Sequence, residues 1–516
     1  MADRLDAVLE ALPRRYPGPG GAVAVVRRGE VRVRHAWGWA NAERRIPFSP
    51  KTLFRICSIT KQFTCAALLD AFPDPSVLDG EVASRLPRLE EPAPSALRLA
   101  HNQSGLRDYW AVAMLCGAPP ESAFGAGEAR RLIGATRALQ FPPGARYSYA
   151  NQNFRILSDI LEAREGRDFG EVLRARIFDP AGMETAVLAA DTRALPDGTQ
   201  GYEAMQQGGF RAAENRIVWT GDAGIAASLD DMIAWERWID ATREDDASLY
   251  RRLSAPVTFA DGAPALYGFG LGRGTALGRA VTEHGGGLWG WRSHRMYAPA
   301  ERLSIVVLFN HLSDAHEAAV DLFAAALGED RPAPPPALPP PDWLGAYLEP
   351  ETGLSVRIEA AEAGKVRLRY GYPPASLDLT EDGAASAGGT RLRYENGGLS
   401  MDRPGDNQST LLAPRSGPAA THIAGRWRCA ELDAELTIAD AGGVLWGAFS
   451  GFLGQGPMER LDPVGPDLWV LPCLRALDYT PPGDWTLAFR RDPDHRPERL
   501  RLGCWLARRL DYVRVE

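Results

Sequence analysis

The chain has 516 residues, 45% of them hydrophobic and 24% charged, the make-up of a globular protein long enough for several domains. Its net charge of −8 argues against a nucleic-acid surface. No run of about 18 apolar residues is present and the opening MADRLDAVLEALPRRYPG lacks the apolar stretch of a secretion signal, so neither a membrane span nor export is expected.

Residues 1–330 read as one α/β unit. After an opening helix, GGAVAVVRRGEVRVRHAWGWAN (20–41) reads as a hairpin turning at Arg28-Gly29. The stretch SITKQFTCAALLDAF (58–72) is apolar on more than one face and reads as a buried central helix. FPPGARYSYANQNF (141–154) is a turn that leads into a further helix. VTEHGGGLWGWRS (281–293) has strand texture yet three consecutive glycines, which suggests close approach of a ligand or of another backbone. SHRMYAPAERLSIVVLFN (293–310) reads as a second hairpin, and SDAHEAAVDLFAAALG as a helix stopped by Gly328. Strands at both ends around a helix-rich middle predict an antiparallel sheet with helices against it.

Residues 331–341 hold seven prolines between 332 and 341 and predict a stiff, extended linker. Beyond it helical periodicity gives way to short alternating strands. WLGAYLEPETGLSVRI and IAGRWRCAELDAELTI align at an offset of 80 residues: Gly345 with Gly425, Tyr347 with Trp427, Glu351 with Glu431, Ile358 with Ile438. Two small antiparallel β-barrels are expected, over 342–415 and 416–516. The fold class is therefore α+β.

Chemistry concentrates at Ser58 and Lys61. Only three lysines occur, Lys51, Lys61 and Lys365, against 55 arginines. A lysine one helical turn after a serine can act as a base if burial keeps it neutral, and arginine cannot. Tyr149 and Asn151, as a YxN triplet, and His284 before the glycines complete the candidate set. Neither His284 nor the other histidines (35, 101, 294, 311, 316, 422, 495) show metal-ligand spacing, and no metal is expected. The six cysteines, also without ligand spacing, read as free thiols of a reduced, cytoplasmic protein.

SxxK, YxN and a His-x-Gly motif in this order resemble the penicillin-recognising serine hydrolases of the class C β-lactamase and DD-peptidase fold. HNQSGLRDYW (101–110) and GDAGIAASLDDMIAW (221–235) add to the likeness. The two β units and the closing GCWLAR extend it, over essentially the whole chain, to the bacterial D-aminopeptidases. The resemblance implies a β-lactamase-like catalytic domain, Ser58 as nucleophile, Lys61 as its base and Tyr149 as proton carrier to the leaving amine. It implies an oxyanion hole from the Ser58 and Gly287 amides, with Asn151, Gly286 and Gly287 at the substrate. His284 stands where most relatives carry Lys, which weakens the case for substrates bearing a carboxylate there. The resemblance further implies a loop of the last domain entering the cleft, here Leu474, Arg475, Ala476, Leu477, Asp478, Tyr479, Thr480, Pro481, Pro482, Gly483 and Asp484, with Asp478 against the substrate's α-ammonium. The expected substrate is a small peptide or amide with a free N-terminal amine and a D-residue, the expected assembly a homodimer, and no cofactor is implied. The alternatives are an esterase or weak β-lactamase on the same framework, and a non-catalytic binding protein.

Overall fold

The computed structural model describes residues 2–331 and 341–515 apart from 363, 387, 396 and 421. The expected Pro-rich linker falls almost wholly outside them.

The N-terminal part is built on an eight-stranded antiparallel sheet. The first hairpin, Gly20–Arg27 and Glu30–Asn41, turns at Arg28 and Gly29 with φ of 55° and 74°. Positive φ at both central residues gives the turn whose twist matches the strands. Gly20–Arg27 pairs on its other edge with Leu303–Phe309, so the two ends of this unit close on each other in the sheet centre. Its unbroken apolar run follows from burial on both faces. Val23 and Val25 pack under the helices Ala2–Arg15 and Ala315–Leu327, whereas Ala22, Ala24 and Val26 face the helix-rich middle segment. Ala315–Leu327 stops at Gly328, whose φ of 78° makes a left-handed cap.

The two following units show the repeat directly. The strands Gly345–Glu349 and Leu354–Ala360 pair with Gly345 opposite Ile358; Gly425–Cys429 and Ala434–Ala441 pair with Gly425 opposite Ile438. In each, the aromatic two residues on donates back to a carbonyl four residues earlier, Tyr347 to Trp343 at 2.6 Å and Trp427 to Ile423 at 3.2 Å. The first unit is a closed eight-stranded barrel, its first strand paired with its last, Gln408–Arg415. The second, expected as a barrel too, is a half-barrel whose ten-stranded sheet is not closed strand to strand. Glu459–Arg460 pairs with Trp446–Gly447, and Asp462–Gly465 pairs with Leu468–Leu471, so one bent stretch around Pro463 joins the two ends of the sheet.

Candidate active site

Ser58 lies in the short 3-10 turn Cys57–Ile59 that opens the helix Thr60–Ala71. Cys57 holds φ at 50°, a costly conformation for a residue with a side chain. The turn is pinned below by Phe54–Arg55, paired with Ile225–Ala227, and by the Ile56 amide donating to the Ile225 carbonyl. The helix is buried over ten of its twelve residues, which accounts for its lack of a polar face.

Lys61 is fully buried. Its Nζ lies 3.0 Å from Ser58 Oγ, 2.9 Å from Asn151 Oδ1 and 2.7 Å from the Asp222 carbonyl. An ammonium has three donors, and all three are used here. Burial pushes its pKa down to about 8, although the Asp222, Asp108 and Asp478 carboxylates pull the other way. The lysine is thus poised to lose a proton near neutrality, and the serine hydroxyl can then donate to it. Burial keeps the Tyr149 phenol protonated and outweighs the downward pull of the Ser58 hydroxyl beside it. The Tyr149 ring centre lies 4.8 Å from Nζ.

Asn151 begins the helix Asn151–Glu165. Its backbone amide and its Nδ2 both donate to Asp108 Oδ2, at 2.7 and 2.9 Å, which turns its Oδ1 toward Lys61. Asp108 in turn caps the helix Tyr109–Leu115 through Oδ1. Asn102 accepts from the Ala150 amide and from Asn153, so the segment 101–108 fixes the tyrosine turn.

The three glycines sit inside the strand Arg279–Leu288, and the middle one, Gly286, faces the serine turn. A Cβ on Gly286 would fall 2.3 Å from the Ile56 carbonyl and 2.2 Å from Ser293 Oγ, so only glycine admits this approach. The neighbouring strand Leu271–Ala276 pairs only as far as Glu283, which leaves the edge from His284 onward without a strand partner on that side. Gly286→Ala should push the turn that carries Ser58 out of register. A displacement on the scale of 1 Å costs about 10²-fold in rate, and that loss is expected in kcat/KM with the circular dichroism spectrum retained. Unchanged kinetics would show that the close approach does not position the serine.

His284 lies across the cavity. Its Nδ1 donates to the Gly285 carbonyl at 2.6 Å, so its Nε2, 3.1 Å from the Tyr267 hydroxyl, accepts. Burial first, and Lys61 second, push its pKa down to about 3. A neutral imidazole offers no counter-charge to a substrate carboxylate. Its register partner Arg295 is fully buried against Glu236 at 2.7 and 2.9 Å, which ties this strand pair to the helical layer.

The loop between Leu468–Leu471 and Trp485–Arg491 belongs to the last unit and reaches this cavity. Arg475 forks onto Glu203 and stacks over Trp289 at 3.6 Å, and the Trp289 indole donates to the Ala476 carbonyl. Ala476 and Leu477 are buried, Leu477 within the catalytic core. Tyr479 sits between Trp289 and the Arg292 guanidinium, which lies 4.0 Å from its ring centre. Asp478 and Thr480 line the cavity, about 310 Å³, together with Ser58, Tyr149, Asn151 and His284. Pro481 and Pro482 are buried. The ends of the loop depart from the sequence expectation. Leu474 is 71% exposed, and with Gly483 and Asp484 it lines a separate crevice at the first barrel, where Asp484 pairs with Arg357. A larger crevice, about 680 Å³, lies around Arg88, Arg107 and Arg131 and holds none of the candidate catalytic side chains.

Asp478 is buried, and its one hydrogen bond among the described residues is accepted from the Thr480 amide at 3.2 Å. No cation lies within ion-pair distance of it among them. Burial first, and the nearby Asp108 carboxylate second, hold its carboxyl well above the usual carboxylate range.

Several groups at the site carry no motif of their own. Asp108, Asp222, Tyr267, Trp505 and Leu506 all touch the cavity or its catalytic groups. Asp108 had a local signal, since an Asp just before an apolar helix is an N-cap pattern. Trp505 and Leu506 form the tip of the last hairpin, and the Leu506 carbonyl accepts from the Asp108 amide at 2.9 Å.

A serine beside a buried deprotonatable amine and a tyrosyl oxygen, on an antiparallel sheet backed by helices, defines a serine hydrolase of the penicillin-recognising class. Residues 5–330 match the Beta-lactamase family and 337–513 match D-aminopeptidase, domain B. The chain is 58% identical to the D-aminopeptidase of Gluconobacter oxydans (strain 621H), covering 99% of each, and 47% identical to that of Brucella melitensis biotype 2, covering 99% of this chain and 98% of the relative. It belongs to the D-aminopeptidase family. Among solved structures, D-amino acid amidase from Ochrobactrum anthropi SV3 superposes with a TM-score of 0.52 at 18% identity, over 64% of this chain and 99% of that one. The octameric penicillin-binding protein homologue from Pyrococcus abyssi gives 0.54 at 20% identity, over 80% and 98%. At these identities the likeness is one of fold.

Proposed function

We propose that this protein is a serine aminopeptidase that removes an N-terminal D-residue, such as D-Ala, from amides and short peptides through an acyl-enzyme on Ser58. Asp478 carries the reading: a buried carboxylate in the cavity wall, short of a cation, suits the α-ammonium of a free N-terminus. Neutral His284 removes the counter-charge a C-terminal carboxylate would need.

In this mechanism Lys61, as the free amine, takes the Ser58 proton across 3.0 Å. Ser58 Oγ attacks the scissile carbonyl, and the Ser58 and Gly287 amides hold the developing oxyanion; one such donor is worth about 10²–10³ in rate elsewhere. Tyr149 gives a proton to the leaving amine and is refilled by the one Lys61 took from Ser58, which frees the lysine again. Water then enters, gives up a proton to the same base, and cleaves the ester. Asn151, aimed by Asp108, keeps Lys61 on the serine. Preference for the D-isomer rests on the named relatives.

The test is hydrolysis of D-Ala-p-nitroanilide beside its L-isomer by the purified full chain. Turnover of the D-isomer in clear excess is expected. No turnover of either, or preference for L, ends the proposal; cleavage only of short-chain esters or nitrocefin would assign the same serine to an esterase or β-lactamase.

A further inference from the structure

The strand that carries His284 on its active-site face carries Glu283 on the other. On that second face, His294 of the adjoining strand Trp291–Ala298 lies opposite Gly285, which puts its ring beside the Glu283 carboxylate. Glu283 Oε2 is 3.1 Å from His294 Nε2. His316, in the first turn of the helix Ala315–Leu327, brings its Nε2 to 3.9 Å from the same oxygen. One ligand atom from each of the three lies within 4.8 Å of the others.

These are the spacings of a metal corner. Zinc bonds of about 2.0–2.2 Å in tetrahedral geometry put neighbouring ligand atoms roughly 3.2–3.5 Å apart. The Glu283–His294 edge, at 3.1 Å, lies just short of that figure. The His316 edges, 3.9 Å to Glu283 and no more than 4.8 Å to His294, must shorten by about 0.5–1.5 Å, which a χ rotation of this half-exposed ring can supply, whereas His294 is 6% exposed and held. The backbone of His316 is fixed, because Asp314 Oδ1 accepts from the His316 and Glu317 amides at 2.9 and 3.0 Å. Glu317 Oε1 stands 3.8 Å from His316 Nδ1, on the side where metal-bound histidines find a carboxylate partner. Two imidazoles and one carboxylate suit zinc, nickel or cobalt better than calcium or magnesium. His294, Asp314 and His316 also line the cavity that holds Ser58 and Asp478, because the glycines leave the strand between them bare.

We propose that Glu283, His294 and His316 form a site for one divalent transition-metal ion of the zinc class, with its open position toward the mouth of the active cavity. The site uses two histidines for which the sequence gives no ligand spacing. An ion there places a double positive charge at the rim, on the far side of the strand from His284. A water, or an oxygen of a molecule occupying the mouth, completes its coordination. No step of serine acylation runs through it.

The test uses the full chain, stripped with chelator and desalted, then titrated with zinc chloride in a calorimeter and with cobalt(II) in a spectrophotometer. One equivalent is expected to bind, and cobalt should show the visible d–d bands of a four- or five-coordinate site. His316→Ala and, separately, Glu283→Gln should each weaken binding by no less than the roughly 10–100-fold that loss of an outer-shell partner costs. The half-exposed His316 is a mild change for the fold, and Glu283→Gln keeps the size of the side chain if it is not. Absence of saturable binding in the parent chain overturns the proposal. So does equal binding in the parent and both variants, which would place the ion on other histidines or thiols.

Discussion

Lys61→Arg is expected to lower the rate of acylation by at least about 10²–10⁴-fold, the range that a positioned general base contributes. The substitution keeps the positive charge, so only the loss of a removable proton and the bulk of the guanidinium separate the two proteins. A serine-reactive probe should label the parent at Ser58 and fail on the variant, with the thermal melt used to confirm folding. Retained labelling would remove Lys61 from the base role. The pH profile of the parent offers a second measurement. Because burial lowers the pKa of Lys61 to about 8, the ammonium dominates well below that pH and the free amine above it. With an N-blocked ester, kcat/KM should therefore climb through about pH 8 and level off. With a free-amine substrate, whose own α-ammonium loses its proton near pKa 7.7–8.0, about the same window, the profile should be bell-shaped. The blocked ester is thus the control that isolates the lysine.

Asp478→Ala is expected to discriminate between substrates more than any other single change. Loss of one partner of a buried charge pair costs about 2–5 kcal/mol, roughly one and a half to three and a half orders of magnitude. That loss should fall on kcat/KM for D-Ala amides and spare N-acylated esters, which bring no ammonium. Equal loss on both substrates would assign the residue to holding the loop. The carboxyl is also raised above the ordinary range, so the free-amine substrate should lose rate on the acid side as Asp478 becomes neutral, on top of the loss from Lys61 protonation that both substrates share.

How much of this was written in the sequence depends on the range of the interactions. Ser58 and Lys61 share one helical turn, so their contact follows from local geometry, and three lysines in the whole chain made the position stand out. The hairpins, the terminal helix and the 80-residue repeat were legible for the same reason: turn glycines and alternating burial are local signals. Asp108 was not singled out, because its work is to orient the amide of Asn151 from a loop 43 residues away. The loop 474–484 was placed as one unit, yet its ends answer to distant anchors, Glu203 for Arg475 and Arg357 for Asp484, and these turn Leu474 and Gly483 away from the cavity. The succession of Glu459–Arg460 and Asp462–Gly465, which pair with opposite ends of the sheet, looks in sequence like an ordinary strand break. Glu283, His294 and His316 come from two strands and a helix, at spacings of eleven and twenty-two residues that match no ligand motif.

The bond from the Asp108 amide to the Leu506 carbonyl, beside that from the Arg107 guanidinium to the Arg508 carbonyl, makes the candidate site depend on two parts of the chain formed at different times. Ser58 and Lys61 belong to the first domain, whereas the hairpin that steadies Asp108, and through it Asn151, follows about 400 residues later and is synthesised long after them. A fragment that folds the first domain alone lacks this brace, and its Asn151 is expected to hold Lys61 less firmly.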